Sequence, residues 1–440
     1  MKDKFIFALT MLACSCSQDL PSTESYTAPL PIAATQPDPR PVATPQGLTN
    51  IVYTPIPSGF DFPAAEATLR DALKAGDVAA LRRHAWMVFA GLTQPTRPND
   101  PRSEALWETW YTNDQVFHDA ASPQGMRTLQ RKLTLPRQFM PKGPGASPQA
   151  AGESLLAFTL FNEEFKAHTH EHKLHLAKTL NDLNNSWPAG TPPADRKIPD
   201  YPPTAMSLKT SWKLVKRKGV TPLPIWDEQA PFAVAPSQPE WVWPRAVVVD
   251  PSRSVIPPDE HRNVTLGGKS FPNSHVVTLG SFYHFEVTAA EAARIESSVG
   301  AAVGDYMVLV GFHYTTKEIP NWVWGTLWWH DRPDAGPYAE GRLDEKYLAG
   351  PWRNYLLDVS YDMELPRESN DTPNAVFNPW LEAGFDDGVN SNCMTCHQRA
   401  IRPSIHFEPV TRGPLAPNDP LFLDSTKLDF LWSVALEVPK

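Results

Sequence analysis

Cysteine is almost missing from this chain: there are four in 440 residues, and Cys14 and Cys16 fall within the first sixteen. Only Cys393 and Cys396 remain for the folded part, which excludes a disulfide framework. Long apolar runs are also lacking; Phe5 to Ala13 is too short to cross a bilayer as a permanent anchor. Positive charge is scarce too. Forty Lys and Arg against 49 Asp and Glu give a formal net charge of -9, so the basic surface that nucleic acid requires is excluded. An acidic balance serves solubility first, and can also steer a basic partner protein. No internal repeat is evident. What the chain has in excess is proline, 47 residues, about twice the usual share. Loops, turns and short elements follow from it.

The beginning of the chain is patterned for export. Lys2 and Lys4 precede the apolar run, which ends in Met11-Leu12-Ala13-Cys14. This resembles the lipobox of bacterial lipoproteins, with Ala13 as the small residue before a lipid-bearing Cys14. Cleavage by ordinary signal peptidase is the alternative, and Cys16 offers a second, poorer register. Residues 1–16 therefore read as a signal peptide of lipoprotein type. Residues 17–60, rich in Pro, Ser, Thr, Ala and Gln, read as a flexible tether that cannot bury enough surface to order itself. The expected location is the periplasm or the outer membrane, lipid-anchored, with membrane contact only through the anchor or signal. Ser15 after the cysteine resembles the outer-membrane sorting pattern.

The rest of the chain predicts an α+β fold. Leu69, Leu73, Val78, Leu81, Trp86, Val88 and Phe89 recur at helical spacing, and Glu153 to Leu183 reads as a second helical stretch, so 61–200 is expected to be mainly helical. From 201 to 345 the segments Met206–Val215, Trp241–Val249, Val276–Val287, Tyr306–Tyr314 and Asn321–Trp329 are rich in β-branched and aromatic residues and bounded by turn formers. They predict an antiparallel sheet, with Ala289–Val299 as the one clear intervening helix. In the last segment Trp322, Trp324, Thr326, Trp328 and His330 fall on one face, and Val323, Gly325, Leu327 and Trp329 on the other. Four tryptophans in eight residues make either a central strand packed on both sides or the wall of a cofactor pocket. Residues 346–440 are expected to form a C-terminal helical segment.

That segment holds the one strong chemical signal, Cys393-Met394-Thr395-Cys396-His397. C-x-x-C-H is the spacing of c-type haem attachment: each thiol forms a thioether with a vinyl group, and the imidazole becomes an axial iron ligand. On one helical turn the two cysteines reach two edges of a porphyrin while the next residue points at the metal. Asn390, Ser391 and Asn392 suit the helix N-cap, and Pro403 its end. A thioredoxin-like site would need a preceding strand in a βαβ unit, and a zinc site a second cysteine pair; neither is visible. One covalent haem c is thus expected, bound by Cys393, Cys396 and His397.

No methionine follows His397, so the other face of the iron must be closed by an upstream side chain, by His406, or by nothing. His406 stands too near His397 in sequence to fold round the ring. Among His330, His313, Met363 and His284, His330 ranks first and His313 second. Arg399 and Arg402 can pair with haem propionates, and Asp429 to Trp432 open a short final helix expected to pack on the haem helix. His168, His170, His172 and His175 form a separate cluster. Three of them share one face of a predicted helix, an arrangement open to zinc or copper, although the surrounding Glu and Lys favour a solvated helix.

Trp322 to His330, the preceding Val310–Thr316, Ser391 to His397 and Asp429 to Ser433 together resemble a group of exported bacterial single-haem proteins of the cytochrome c family. The resemblance covers about residues 100–440, and its chemically specific part is the haem motif. In that group a Phe-Glu-His tends to stand where Trp328-Trp329-His330 stand here, which implies that His330 is a pocket residue. The resemblance implies a haem and an envelope location but no substrate. The expected function is one-electron transfer with a redox partner protein in the cell envelope. The alternatives are a haem enzyme of peroxidase or oxygenase type with an open distal site, and a haem-based sensor or binding lipoprotein.

Overall fold

A computed structural model describes residues 50–51, 53–97, 104–118, 127–128, 132–136, 155–226, 243–367, 371–382, 388–403 and 413–438. The export signal with Cys14 and Cys16, most of the tether, and His406 lie outside them. Within the described part, Tyr53 to Phe62 packs on the folded body: Ile56, Phe60 and Phe62 lie against the core, and Tyr53 donates to Glu164 at 2.8 Å.

Two helices lead, α1 (Glu66–Ala75) and α2 (Val78–Leu92). Nearly every residue of α2 from Leu81 onward is buried, as expected for a helix that is apolar on all sides. Asp77 caps it by accepting from the Ala80 amide. The short strands β1 (Asn50–Ile51) and β3 (Arg127–Thr128) pair with each other, and β2 (Tyr111–Thr112) precedes β3 in the chain.

The stretch expected as one helix over 153–183 is instead β4 (Leu156–Phe161), α3 (Glu163–Glu171) and α4 (Ala177–Ser186). Asn162 decides the change. Its Oδ1 accepts from the Phe165 amide, capping α3, and from the Met206 amide at 2.9 Å, fastening the end of β4 to a neighbouring strand. Leu-Ala-Phe-Thr-Leu-Phe carries apolar residues at spacings that suit either element, and strand pairing wins over helix propensity.

Then follow β5 (Met206–Val215), β6 (Thr221–Ile225), β7 (Arg245–Asp250), β8 (His261–Leu266), β9 (Lys269–Thr278), β10 (His284–Glu286), the single helical turn α5 (Ala289–Ala292), β11 (Tyr306–Thr316), β12 (Val323–Trp329) and β13 (Tyr355–Ser360). The main sheet is antiparallel throughout, in the order β13-β12-β11-β5-β4-β2, with β10 beside the first half of β11. A second sheet runs β6-β7-β9-β8, and there β7 and β9 pair in parallel. The α+β class is as expected. The N-terminal region, however, supplies β2 and β4 to the same sheet that β5 and β11 to β13 build, so the helical and β-rich stretches share one core.

The main sheet has two dissimilar faces. On one, α2 packs over aromatic rings: Phe89 meets Phe312 edge-on at 5.4 Å, and the Tyr314 hydroxyl donates to the Ala85 carbonyl at 2.8 Å. Gly325, the cross-strand partner of Tyr314, lies under that ring; a Cβ there would come within 2.2 Å of it. The other face carries a polar row. Register places Thr159, Lys209, His313, Thr326 and Asp358 side by side across β4, β5, β11, β12 and β13. Asn378, Asn392 and His397 pack on this face, in a C-terminal part whose described elements are α6 (Cys393–His397), β14 (Ile401–Arg402), β15 (Thr426–Lys427) and α7 (Trp432–Glu437).

Candidate haem site

In the polar row Thr326 and Asp358 are buried and Thr159, Lys209 and His313 half-buried, an arrangement that is costly unless the groups have partners. Asn378 meets part of the need, donating from Nδ2 to the Thr326 hydroxyl at 3.1 Å and to the Leu327 carbonyl at 2.8 Å. It fits because Gly311 beneath it has no side chain; a Cβ there would stand 3.1 Å from Asn378 Oδ1. The Asn378 amide in turn donates to Glu382 Oε2 at 2.6 Å.

The haem motif is fastened to the same face by Asn392. Its Oδ1 accepts from the Met394 amide at 3.0 Å, capping α6, and contacts Ser360 Oγ on β13 at 2.8 Å; its Nδ2 donates to the Asp362 carbonyl at 3.0 Å. The helix ends at His397, earlier than Pro403 would require, because Ile401 and Arg402 are drawn into β14, which pairs with β15. Cys393 Sγ lies 3.4 Å from the Val376 carbonyl. Burial, reinforced by the Glu382 charge, raises the Cys393 thiol well above its ordinary value and pushes Cys396 up to about 12, against the opposing pull of Arg399.

His397 is oriented by the backbone. Its Nδ1 is 2.7 Å from the Phe430 carbonyl, so Nδ1 carries the proton and Nε2 keeps its lone pair. Ligating histidines are held in this way. Trp324 lies against the ring at 4.1 Å between centroids. The carbonyl is aimed by a rare turn: Asp429 and Phe430 both have left-handed backbone, at φ 50° and 66°, which costs about 1–2 kcal/mol per non-glycine residue. Lys317 fixes the turn through a buried ion pair with Asp429 at 2.5 Å. Burial lowers the His397 imidazole to about 4, with the Phe430 carbonyl acting in the other direction and Lys209 adding to the fall.

His313 and Lys209 of the polar row both lie within electrostatic reach of His397. Burial, then the charges of Lys209 and His397, lower His313 to about 3, so it is neutral at ordinary pH. Its Nε2 is buried and makes no hydrogen bond; Glu382 Oε2 is 3.5 Å away. Burial raises Glu382 and lowers Lys209, each partly offset by the other's charge. Asp358, at the end of the row, is raised to about 7 by burial although Arg82 stands 3.6 Å away.

His330 is elsewhere. It follows β12, about 13 Å along the strand from Thr326 at 3.3 Å per residue. There its Nδ1 accepts from the Arg332 amide at 2.9 Å and it stands 3.6 Å from Asp331, itself bridged to Arg245 at 2.5 Å. His330 thus stands four residues past Thr326, the cross-strand partner of His313, in a separate set of contacts. His284 lies on β10 with Nδ1 2.9 Å from the Phe282 carbonyl. Met363, partly buried, packs against the core just beyond Asp362. Trp322 leaves the aromatic face altogether. Its φ of 63° turns it out of the strand and onto Tyr201 and Phe165. Arg399 is buried beside Cys396, whereas Arg402 Nε donates to Asn181 on α4 at 2.9 Å.

The other histidine cluster separates into pairs, His168 with His172 at 4.4 Å and His170 with His175 at 4.3 Å between ring centroids. The chain stops being helical at Glu171 and reverses at Lys173, with φ 53°, so the expected triple on one face does not form.

Comparison with known protein families, characterised proteins and solved structures finds no match to this chain. The site must speak for itself. Among the described residues no group of three or more His, Cys, Asp or Glu side chains is disposed to hold a bare metal ion. An iron already held by four porphyrin nitrogens asks for only one or two axial groups. His397 with its oriented, open Nε2, and His313 with its buried Nε2 lacking a hydrogen bond, are suited to that demand. Two thiols three residues apart on the helix beside them suit the covalent attachment. Lys209, Glu382 and the Phe430 carbonyl gave no local sequence signal; strand register and a backbone turn bring them in.

Proposed function

We propose that this protein is a c-type cytochrome of the bacterial cell envelope, passing single electrons between partner proteins. Cys393 and Cys396 would hold one haem through thioethers, and His397 and His313 would hold its iron. When bound, the haem supplies one-electron chemistry between ferric and ferrous iron. The chain's own residues then have defined tasks: Phe430 and Trp324 orient His397, the sheet presents a neutral His313, Asn392 fixes the helix, and Arg399 is placed for a propionate. The observation that carries this reading is the His313 imidazole, neutral, within electrostatic reach of His397, and with a buried Nε2 that makes no hydrogen bond. Two imidazoles would saturate the iron and suit a carrier.

A second reading, a haem enzyme with an open distal position, draws on Glu382 at 3.5 Å from His313 Nε2, since a carboxylate and an imidazole can relay protons. One experiment separates them. The protein, matured with haem and reduced, is exposed to carbon monoxide while its absorption spectrum is followed. The carrier is expected to stay six-coordinate and unreactive, and His313→Ala to bind carbon monoxide rapidly. Rapid binding by the unaltered protein, unchanged by His313→Ala, refutes ligation by His313. Export and lipid anchoring are proposed from the first sixteen residues, with mass spectrometry of the mature N-terminus as the check.

A further inference from the structure

The segment after β11 does more than connect two strands. Lys317 begins it, four residues beyond His313, and its side chain is only 5% exposed. Its Nζ donates to the Pro320 carbonyl at 2.6 Å, closing the β11–β12 turn on itself, and to Asp429 Oδ1 at 2.5 Å. The same ammonium lies over the Trp322 ring at 5.3 Å, and its amide donates to the Ala205 carbonyl at 3.0 Å. One cation thus ties the strand that presents His313 to the turn that presents the Phe430 carbonyl. The Tyr201 backbone also bonds the Asp429 carboxylate, whose Oδ2 is buried without a hydrogen bond. Asp429 and Phe430 are both left-handed, a conformation that lasts only where surrounding contacts enforce it.

We propose that Lys317 and Asp429 form a positioning device for His397, holding Asp429–Phe430 in its left-handed turn so that the Phe430 carbonyl stays on His397 Nδ1 and sets the imidazole's orientation and donor strength. This rests on the haem reading above. Neither residue touches the haem-motif cysteines; each acts through the backbone of Phe430. A carbonyl on Nδ1–H strengthens the imidazole as a donor, which favours ferric iron, so loss of the clamp is expected to raise the reduction potential.

The test uses the full-length, haem-loaded protein and three variants: Lys317→Met, Asp429→Asn, and Lys317→Met combined with Phe430→Gly. Covalent haem is counted by the pyridine haemochrome spectrum. The expected result is unchanged haem content, a positive shift of midpoint potential in both single variants, and a broadened ferric low-spin electron paramagnetic resonance signal as the ring loses its fixed orientation. Glycine takes the left-handed turn without strain, so the double variant is expected to return towards the unaltered potential and line shape. If Lys317→Met does not fold, Asp429→Asn decides alone. Single variants that lose stability but keep the original potential and resonance signal overturn the proposal and make the ion pair merely structural. Unaltered protein without covalent haem would instead overturn the underlying haem reading, and this proposal with it.

Discussion

Replacing Asn392 by Ala removes the fastening of the haem-motif helix at one stroke, and the loss can be worked out bond by bond. The Met394 amide loses its acceptor at 3.0 Å inside a buried first turn, an N-cap loss of about 1–2 kcal/mol. The Asn392 Nδ2 bond to the Asp362 carbonyl, also 3.0 Å, contributes about 1 kcal/mol. Ser360 loses little, because its hydroxyl retains the Asp362 carbonyl at 2.9 Å. Together the substitution is expected to cost about 2–3 kcal/mol. The assay is urea unfolding of haem-free protein carrying Cys393→Ser and Cys396→Ser, with and without Asn392→Ala, followed by tryptophan fluorescence. Asn392→Asp keeps an acceptor for the Met394 amide but loses the donor to Asp362, and should recover about half of the deficit. A loss below about 0.5 kcal/mol for the alanine variant, the size expected of an ordinary surface substitution, refutes the claim that this side chain holds α6 on the sheet.

Further outcomes follow from the same structure. In the haem-free protein, the His313 imidazole lies well below its ordinary value, at about 3. Its neutral burial therefore contributes stability in full above pH 6.5, and that contribution is lost as pH falls towards 3. Compared with His313→Gln, the unaltered side chain should lose about 2 kcal/mol between pH 7.5 and pH 5, measured by urea unfolding at the two pH values; 1.5 pH units below 6.5 set that size. A difference that stays flat with pH refutes it. Gly325→Ala drives a methyl group to within 2.2 Å of Tyr314, whose hydroxyl is committed to Ala85 across the core. We expect a loss of about 2–4 kcal/mol in thermal or urea unfolding, and an unchanged melting temperature would show that the ring can move.

The sequence exposed the features that depend on local pattern. Met206–Val215 is a strand from end to end, Trp324, Thr326 and Trp328 share the face read from their alternation, and Asn392 is the N-cap expected of it. What stayed hidden depends on long-range pairing or on backbone geometry. Leu156–Phe161 and Tyr355–Ser360 are short, mostly apolar runs, and nothing in such a run distinguishes strand from helix until a neighbouring strand claims it. His330 and His313 share one residue type, and only strand register shows that they stand in different sets of contacts. The acceptor for His397 is a main-chain carbonyl aimed by two residues of positive φ, and neither Asp429 nor Phe430 announces that in its side chain.

Burial keeps both thiols of the motif protonated at ordinary pH, Cys393 inside the core and Cys396 half-buried beside it. Sulfur chemistry proceeds through the thiolate, so a finished fold is the wrong substrate for building thioethers. On the haem reading proposed above, attachment is therefore expected before the segment that buries Cys393 is seated.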